Sequence, residues 1–313
     1  MNDMKKMIFT LLACCAFAVS YAQDGQDISG ASDKFAQKYD MLVSKLGYAG
    51  VGVETVLDNW EQVDPDNRKL LLAKYSYYLT KSQSSAVVQK PGRRYLGNEP
   101  LFALKDSTGA EINYFEETNY DDSLFSIALK NLDKAISLFP KALDIRFMKA
   151  AALTAYEKES PDMAFACLSG IIDDYYASKD GWKFGEEDVD DEFFEGAVQE
   201  YGFVFYNIAS DSSYETFKAL SEKMLAVNPN STVFLSNIGS YYLVAQKDYK
   251  KALKYYNKVL KINPDDYTAI KNCVLLSRRQ KNLKLEKKYL PMLVRCTPDE
   301  TERMSAQTRL DLL

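Results

Sequence analysis

The sequence predicts an all-α fold, a stack of paired helices that carries one small inserted β-hairpin. Three features point there. Pro229, Pro264 and Pro298 recur at a step of about 34 residues, and a period in that range marks stacked structural repeats. Between these prolines the apolar residues fall three, four and seven apart, which is helical spacing. Small residues, Gly239 and Ala252, stand where two antiparallel helices would approach most closely.

The stretch from Ser231 to Asp299 holds two successive copies of this unit. In the first, Leu235, Ile238, Gly239 and Tyr242 share one face of a helix over about Thr232 to Ala245. Ala252, Tyr256 and Val259 share the face of a second, which Asp248 can open as N-cap. Pro264 lacks an amide hydrogen and stops it. In the second copy Ile270, Cys273, Leu290, Leu293 and Pro298 keep the pattern, while Val274 and Glu286 replace the small residues. Pro291 there interrupts the second helix and predicts a kink with looser packing.

The small, small, aromatic and proline positions at Gly239, Ala252, Tyr256 and Pro264 resemble the tetratricopeptide repeat. The resemblance implies a helical-hairpin solenoid that binds a protein or peptide partner along its first helices, as a non-enzymatic scaffold with no cofactor. It assigns to that groove Asn237, Ser240, Lys271, Asn272, Leu275 and Arg278. Asn237 and Asn272 lie 35 residues apart, one repeat, and would stand as a polar ladder able to grip a peptide backbone.

From the start of the chain, Lys5 and Lys6 precede an apolar run from Met7 to Val19, followed by Ser20, Tyr21 and Ala22. That pattern reads as a signal peptide over residues 1–22 rather than a membrane span. Leu11 to Cys14 offers an alternative, a lipoprotein box with a lipid anchor at Cys14. Export would place the protein in the periplasm or outside the cell, with outer-membrane association a further option. After the leader no membrane-length apolar run follows.

Residues 23–32 read as a flexible leader and 33–140 as degenerate helical repeats. Asp33 to Leu46, Val53 to Gln62 and Arg68 to Thr80 have helical faces, and Pro65 closes the second. The next closing proline, Pro140, comes 75 residues after Pro65, so some 40 residues interrupt a repeat. The β-hairpin among them is placed at about 95–117, where the runs Leu101 to Lys105 and Glu111 to Phe115 flank Asp106-Ser107-Thr108-Gly109, a hairpin signal. The preceding segment, SQSSAVVQKPGRRYLGN, reads as a mobile loop. Central repeats occupy 141–229 with an acidic insertion at about 178–191, and 230–313 holds the last repeats and a capping helix.

The formal net charge is −5, a mild acidic balance that argues against nucleic acid and against a membrane surface. There is no histidine, which removes Ser-His-Asp and Cys-His catalysis and His-ligated metal sites together. Cys167, Cys273 and Cys296, the cysteines beyond the leader, fit no zinc spacing. The acid run from Glu186 to Glu192 lacks the EF-hand pattern and reads as a solvated loop. A second functional class remains open: a glycan or other small ligand held on aromatic platforms, Trp182 and Tyr95, in the insertions.

Overall fold

The computed structural model describes residues 28–313, so the predicted leader, Cys14 and residues 23–27 lie outside the described part. Among the described residues are thirteen α-helices and five short strands with no closed sheet. The chain divides into two compact units, one running to Lys158 and including Ala166–Phe194, the other made of Glu159–Phe165 with Glu195–Leu313. The division falls inside the segment assigned from sequence to the central repeats.

The first unit begins with α1 (Ile28–Leu46), which starts within the segment expected to be flexible. The cause is Ser32, whose hydroxyl accepts from Trp60 Nε1 at 2.7 Å and donates to Asp64 at 2.9 Å, pinning the first turns. Helix α2 (Val53–Val63) buries Val53, Val56, Leu57 and Trp60 against Tyr39 of α1 and against Leu70, Ala73 and Tyr77 of α3 (Arg68–Ser82). Asn67 caps α3 by accepting from Leu70 N.

Helix α3 runs without a break into strand β1 (Gln83–Lys90), and β3 (Glu111–Tyr120) runs into α4 (Asp122–Leu138). Helices α3 and α4 pack on each other, so the insertion interrupts one helical pair between its two members. The predicted hairpin is present: β2 (Phe102–Lys105) pairs antiparallel with β3 through the Asp106 to Gly109 turn. Asp106 Oδ1 accepts from the amides of Thr108 and Ala110 at 2.8 and 2.9 Å, and Gly109 takes a φ of +83° that its missing side chain permits.

The expected mobile loop is corrected. Residues 83–90 form β1 along the other edge of β3, in the order β1-β3-β2, with Val88 opposite Phe115. Tyr95 and Asn98 close a further small bridge. Gln83 to Ser85 are polar because the strand's root is solvated, so no apolar alternation announced it. Helices α5 (Leu143–Glu157) and α6 (Asp162–Ala177) follow, then the two-residue strands β4 (Lys183–Phe184) and β5 (Glu187–Asp188), and α7 (Asp191–Ile208).

The second unit continues with α8 (Asp211–Val227), α9 (Thr232–Val244), α10 (Tyr249–Ile262), α11 (Tyr267–Arg279), α12 (Leu283–Cys296) and α13 (Glu300–Asp311). Each helix from α10 onward opens on an Asp or Asn side chain that accepts an amide of the first turn: Asp248, Asp266, Asn282 and Asp299. Tyr256 and Ala252 of α10, Ile270 and Cys273 of α11, and Tyr289 and Leu290 of α12 form one core. Helix α12 runs from Leu283 to Cys296 as one helix with Pro291 inside it. Pro291 is exposed, while Leu290 and Leu293 hold the opposite side in the core.

Glu286, which takes the place of a small residue, is 2% exposed and receives Arg278 Nε at 2.9 Å and both Nε and Nη2 of Arg309 at 3.0 and 2.9 Å. The Arg309 bond, then that of Arg278, holds its carboxyl below the ordinary value of 4.5. A lowered carboxyl pKa contributes stability that is present above the unfolded value and lost as pH falls through the folded one. Glu286→Gln should therefore lower the denaturation midpoint most at neutral pH, and its difference from wild type should shrink on acidification below 4.5. A gap that stays constant with pH in urea titrations would contradict this.

Candidate functional site

Helices α7, α9 and α11 are the first members of three successive helical pairs, and α9 and α11 pack side by side. Their shared face holds the residues assigned from sequence. Asn237 on α9 is 8% exposed, and its amide exchanges both bonds with Gln199 on α7: Asn237 Nδ2 donates at 2.6 Å and Gln199 Nε2 donates back at 3.3 Å. The polar ladder thus starts one helical pair earlier than the sequence assigned. Its Asn237 rung is spent on joining two helices, while Asn272 on α11 stands half-buried.

Ser240 is also engaged, its hydroxyl 3.2 Å from that of Tyr256. Lys271, Leu275 and Arg278 are exposed. Lys271 donates to Tyr267 at 2.8 Å and pairs with Glu302 at 3.0 Å, and the Tyr267 bond foremost raises its pKa. Arg278 lies over Glu286 at the edge of the face.

Gln199, Phe203, Val233 and Arg279 were not assigned from sequence. Phe203, one helical turn beyond Gln199, is 47% exposed, and Val233, one turn before Asn237, is 45% exposed; with Leu275, 40% exposed and one turn beyond Asn272, they give each helix an open apolar side chain. Arg279, beside Arg278, is exposed and meets no carboxylate among the described residues. Gln199 and Phe203 lie about one period before Asn237 and Ser240, so carrying the ladder back into α7 would have found them. The face therefore offers apolar side chains beside free guanidinium charge, a combination that can seat an extended segment with apolar side chains and a carboxylate.

The aromatic platforms have other roles. Trp182 is 2% exposed, donates its indole hydrogen to Ser178 O at 2.7 Å, and carries the Arg146 guanidinium 5.1 Å from its ring centre. It anchors the acidic insertion instead of presenting a stacking surface. Tyr95 is half-buried: its hydroxyl donates to Glu117 at 2.5 Å, and its ring packs edge-on to Phe115 beneath Lys90. In the acid run, Asp188 pairs with Lys183, and Asp191 binds Lys179 and Tyr175. Among the described residues no group of three or more His, Cys, Asp or Glu side chains is placed to hold a metal ion. The thiols of Cys167, Cys273 and Cys296 are free, and burial pushes that of Cys273 up to about 12. No helix among the described residues is long and apolar enough to cross a membrane.

Residues 240–266 match the family model for the tetratricopeptide repeat. No curated protein matches the chain. Among solved structures, the chain is similar to PilF of Pseudomonas aeruginosa, with 11% identity over 91% of this chain and 100% of that one and a TM-score of 0.35. It is also similar to the flexible tandem repeat domain found in one component of bacterial cellulose synthase, with 14% identity over 90% of this chain and 96% of that one and a TM-score of 0.27.

Proposed function

With a tetratricopeptide repeat at residues 240–266, we propose that the chain is a non-catalytic scaffold that holds a protein partner on the face of α7, α9 and α11. The single observation behind this is the exposure of Phe203, Val233 and Leu275 along the same helices that carry the unpaired Arg279. A surface facing water gains nothing from three large apolar side chains unless something covers them. The free guanidinium selects an acidic residue or a chain-terminal carboxylate in the occupant. The apolar run Met7 to Val19 behind Lys5 and Lys6 supports an envelope or extracellular setting for this work.

Photo-crosslinking from Phe203 and Leu275 in native cells identifies the partner, and titration of the purified pair measures it. The double variant Phe203→Glu with Leu275→Glu, and separately Arg279→Glu, are each expected to weaken binding by about tenfold or more. A partner that binds both variants as tightly as wild type overturns the assignment of this face.

A further inference from the structure

The net charge of −5 conceals a strong local imbalance: between Lys247 and Arg295 fall 14 of the 39 basic residues but only 4 of the 44 acidic ones. The second helices of the last two pairs, α10 and α12, carry most of them outward. Helix α10 buries Ala252, Tyr256 and Val259, and its exposed positions are Lys250, Lys251, Lys254, Lys258 and Lys261, ending on Ile262. Helix α12 buries Glu286, Tyr289, Leu290 and Leu293 and exposes Lys284, Lys287, Lys288 and Arg295 around Pro291. The two helices are neighbours, because Tyr289 OH donates to Asn257 Oδ1 at 2.9 Å and Arg295 pairs with Asp265.

Most of these charges are left open. Among the described residues no carboxylate pairs with Lys250, Lys254, Lys258, Lys261, Lys284 or Lys287. Several lysines elsewhere do meet a carboxylate: Lys69, Lys74, Lys134, Lys149 and Lys158. Several like charges held on two adjacent helices repel one another, a standing cost that a counter-charged surface would remove.

We propose that the outward face of α10 and α12 is an electrostatic docking surface for a lipid bilayer rich in anionic headgroups. The residue types select that occupant. A protein interface centres on apolar and aromatic side chains and is depleted of lysine, whereas here the exposed large apolar residues, Ile262 and Leu283, stand only at helix ends. Single-stranded nucleic acid binds where exposed rings interleave with the charges, but Tyr255, Tyr256 and Tyr289 are half-buried or buried. Lysine is a point charge on a flexible stem with no preferred docking register, which suits laterally mobile headgroup phosphates. Each such lysine near an anionic leaflet strengthens adsorption by about fivefold.

The test uses the chain beginning at Gln23, because the apolar run before it would itself enter a bilayer, and measures co-sedimentation with phosphatidylcholine vesicles with and without phosphatidylglycerol. Binding is expected only with phosphatidylglycerol, with a steep loss as salt is added. Lys254→Glu with Lys258→Glu is expected to reduce binding by roughly twentyfold or more, and Lys254→Gln with Lys258→Gln by less. Lys34→Glu with Lys38→Glu on α1 makes the same change in net charge and should leave binding unaltered. Equal binding to uncharged vesicles, or equal loss from both reversed pairs, overturns the proposal. So does release by inorganic phosphate beyond that of chloride at equal ionic strength, which would reveal a discrete phosphate site. Single-stranded RNA that binds more tightly than vesicles, with the same dependence on Lys254 and Lys258, would reassign the face to nucleic acid.

Discussion

Gly239→Ala is expected to destabilise the second unit by about 2 kcal/mol, the net of an overpacking cost near 3 and a helix-propensity gain near 1. A Cβ built on Gly239 would sit 2.6 Å from Tyr256 Cε1 and 2.9 Å from two further ring atoms. The ring cannot step aside, since Tyr256 is fully buried between α9 and its neighbours with its hydroxyl beside Ser240. The measurement is urea denaturation of a double-mutant cycle with Tyr256→Leu. Removing the ring should recover most of the loss on alanine insertion, giving a coupling of about 1–2 kcal/mol. Additive effects, or a stabilised single variant, would show that the helices do not meet at this point.

Trp60→Ala should cost more, about 4 kcal/mol for deleting a large buried ring. Trp60 is 1% exposed, fills the core between α1, α2 and α3, and donates the hydrogen bond that holds Ser32. Trp60→Phe separates the two contributions, because it keeps most of the volume and loses the bond, at a cost of about 1–3 kcal/mol. Hydrogen exchange localises the damage: the alanine variant should lose protection in α1 first, since the turns around Ser32 are fastened by this indole. Uniform loss across the first unit, with α1 no more affected than α3, would place the anchor elsewhere.

Much of the helical order was legible because most pairs announce themselves twice, through the 3.6-residue spacing of residues such as Ala128, Leu132 and Ala135 and through closing prolines. Helix α5, Leu143–Glu157, falls in the segment read as central repeats, and the capping helix expected at the end of 230–313 spans Glu300–Asp311. Strand β1 was not legible, because a strand whose root is solvated carries no alternation and its partner β3 lies beyond the Phe102 hairpin. Side-chain pairing was the other blind spot. Nothing local to Asn237 reveals that Gln199 occupies it, and nothing local to Trp182 tells a ring in solvent from one under Arg146. The lysine face was hidden differently: a charge summed over the whole chain averages Lys254 and Lys258 against acids far away in sequence, whereas a field is felt within about 10 Å.

The hydrogen bond from Asp121 N to Ser82 O, 2.8 Å long, joins the points where the chain leaves and re-enters the α3/α4 pair. The residues between them therefore form a cassette whose exit and return coincide. Such a segment can lengthen, shorten or change its sequence over generations without altering the distance the two helices must bridge, so the stack and its graft are free to evolve at separate rates.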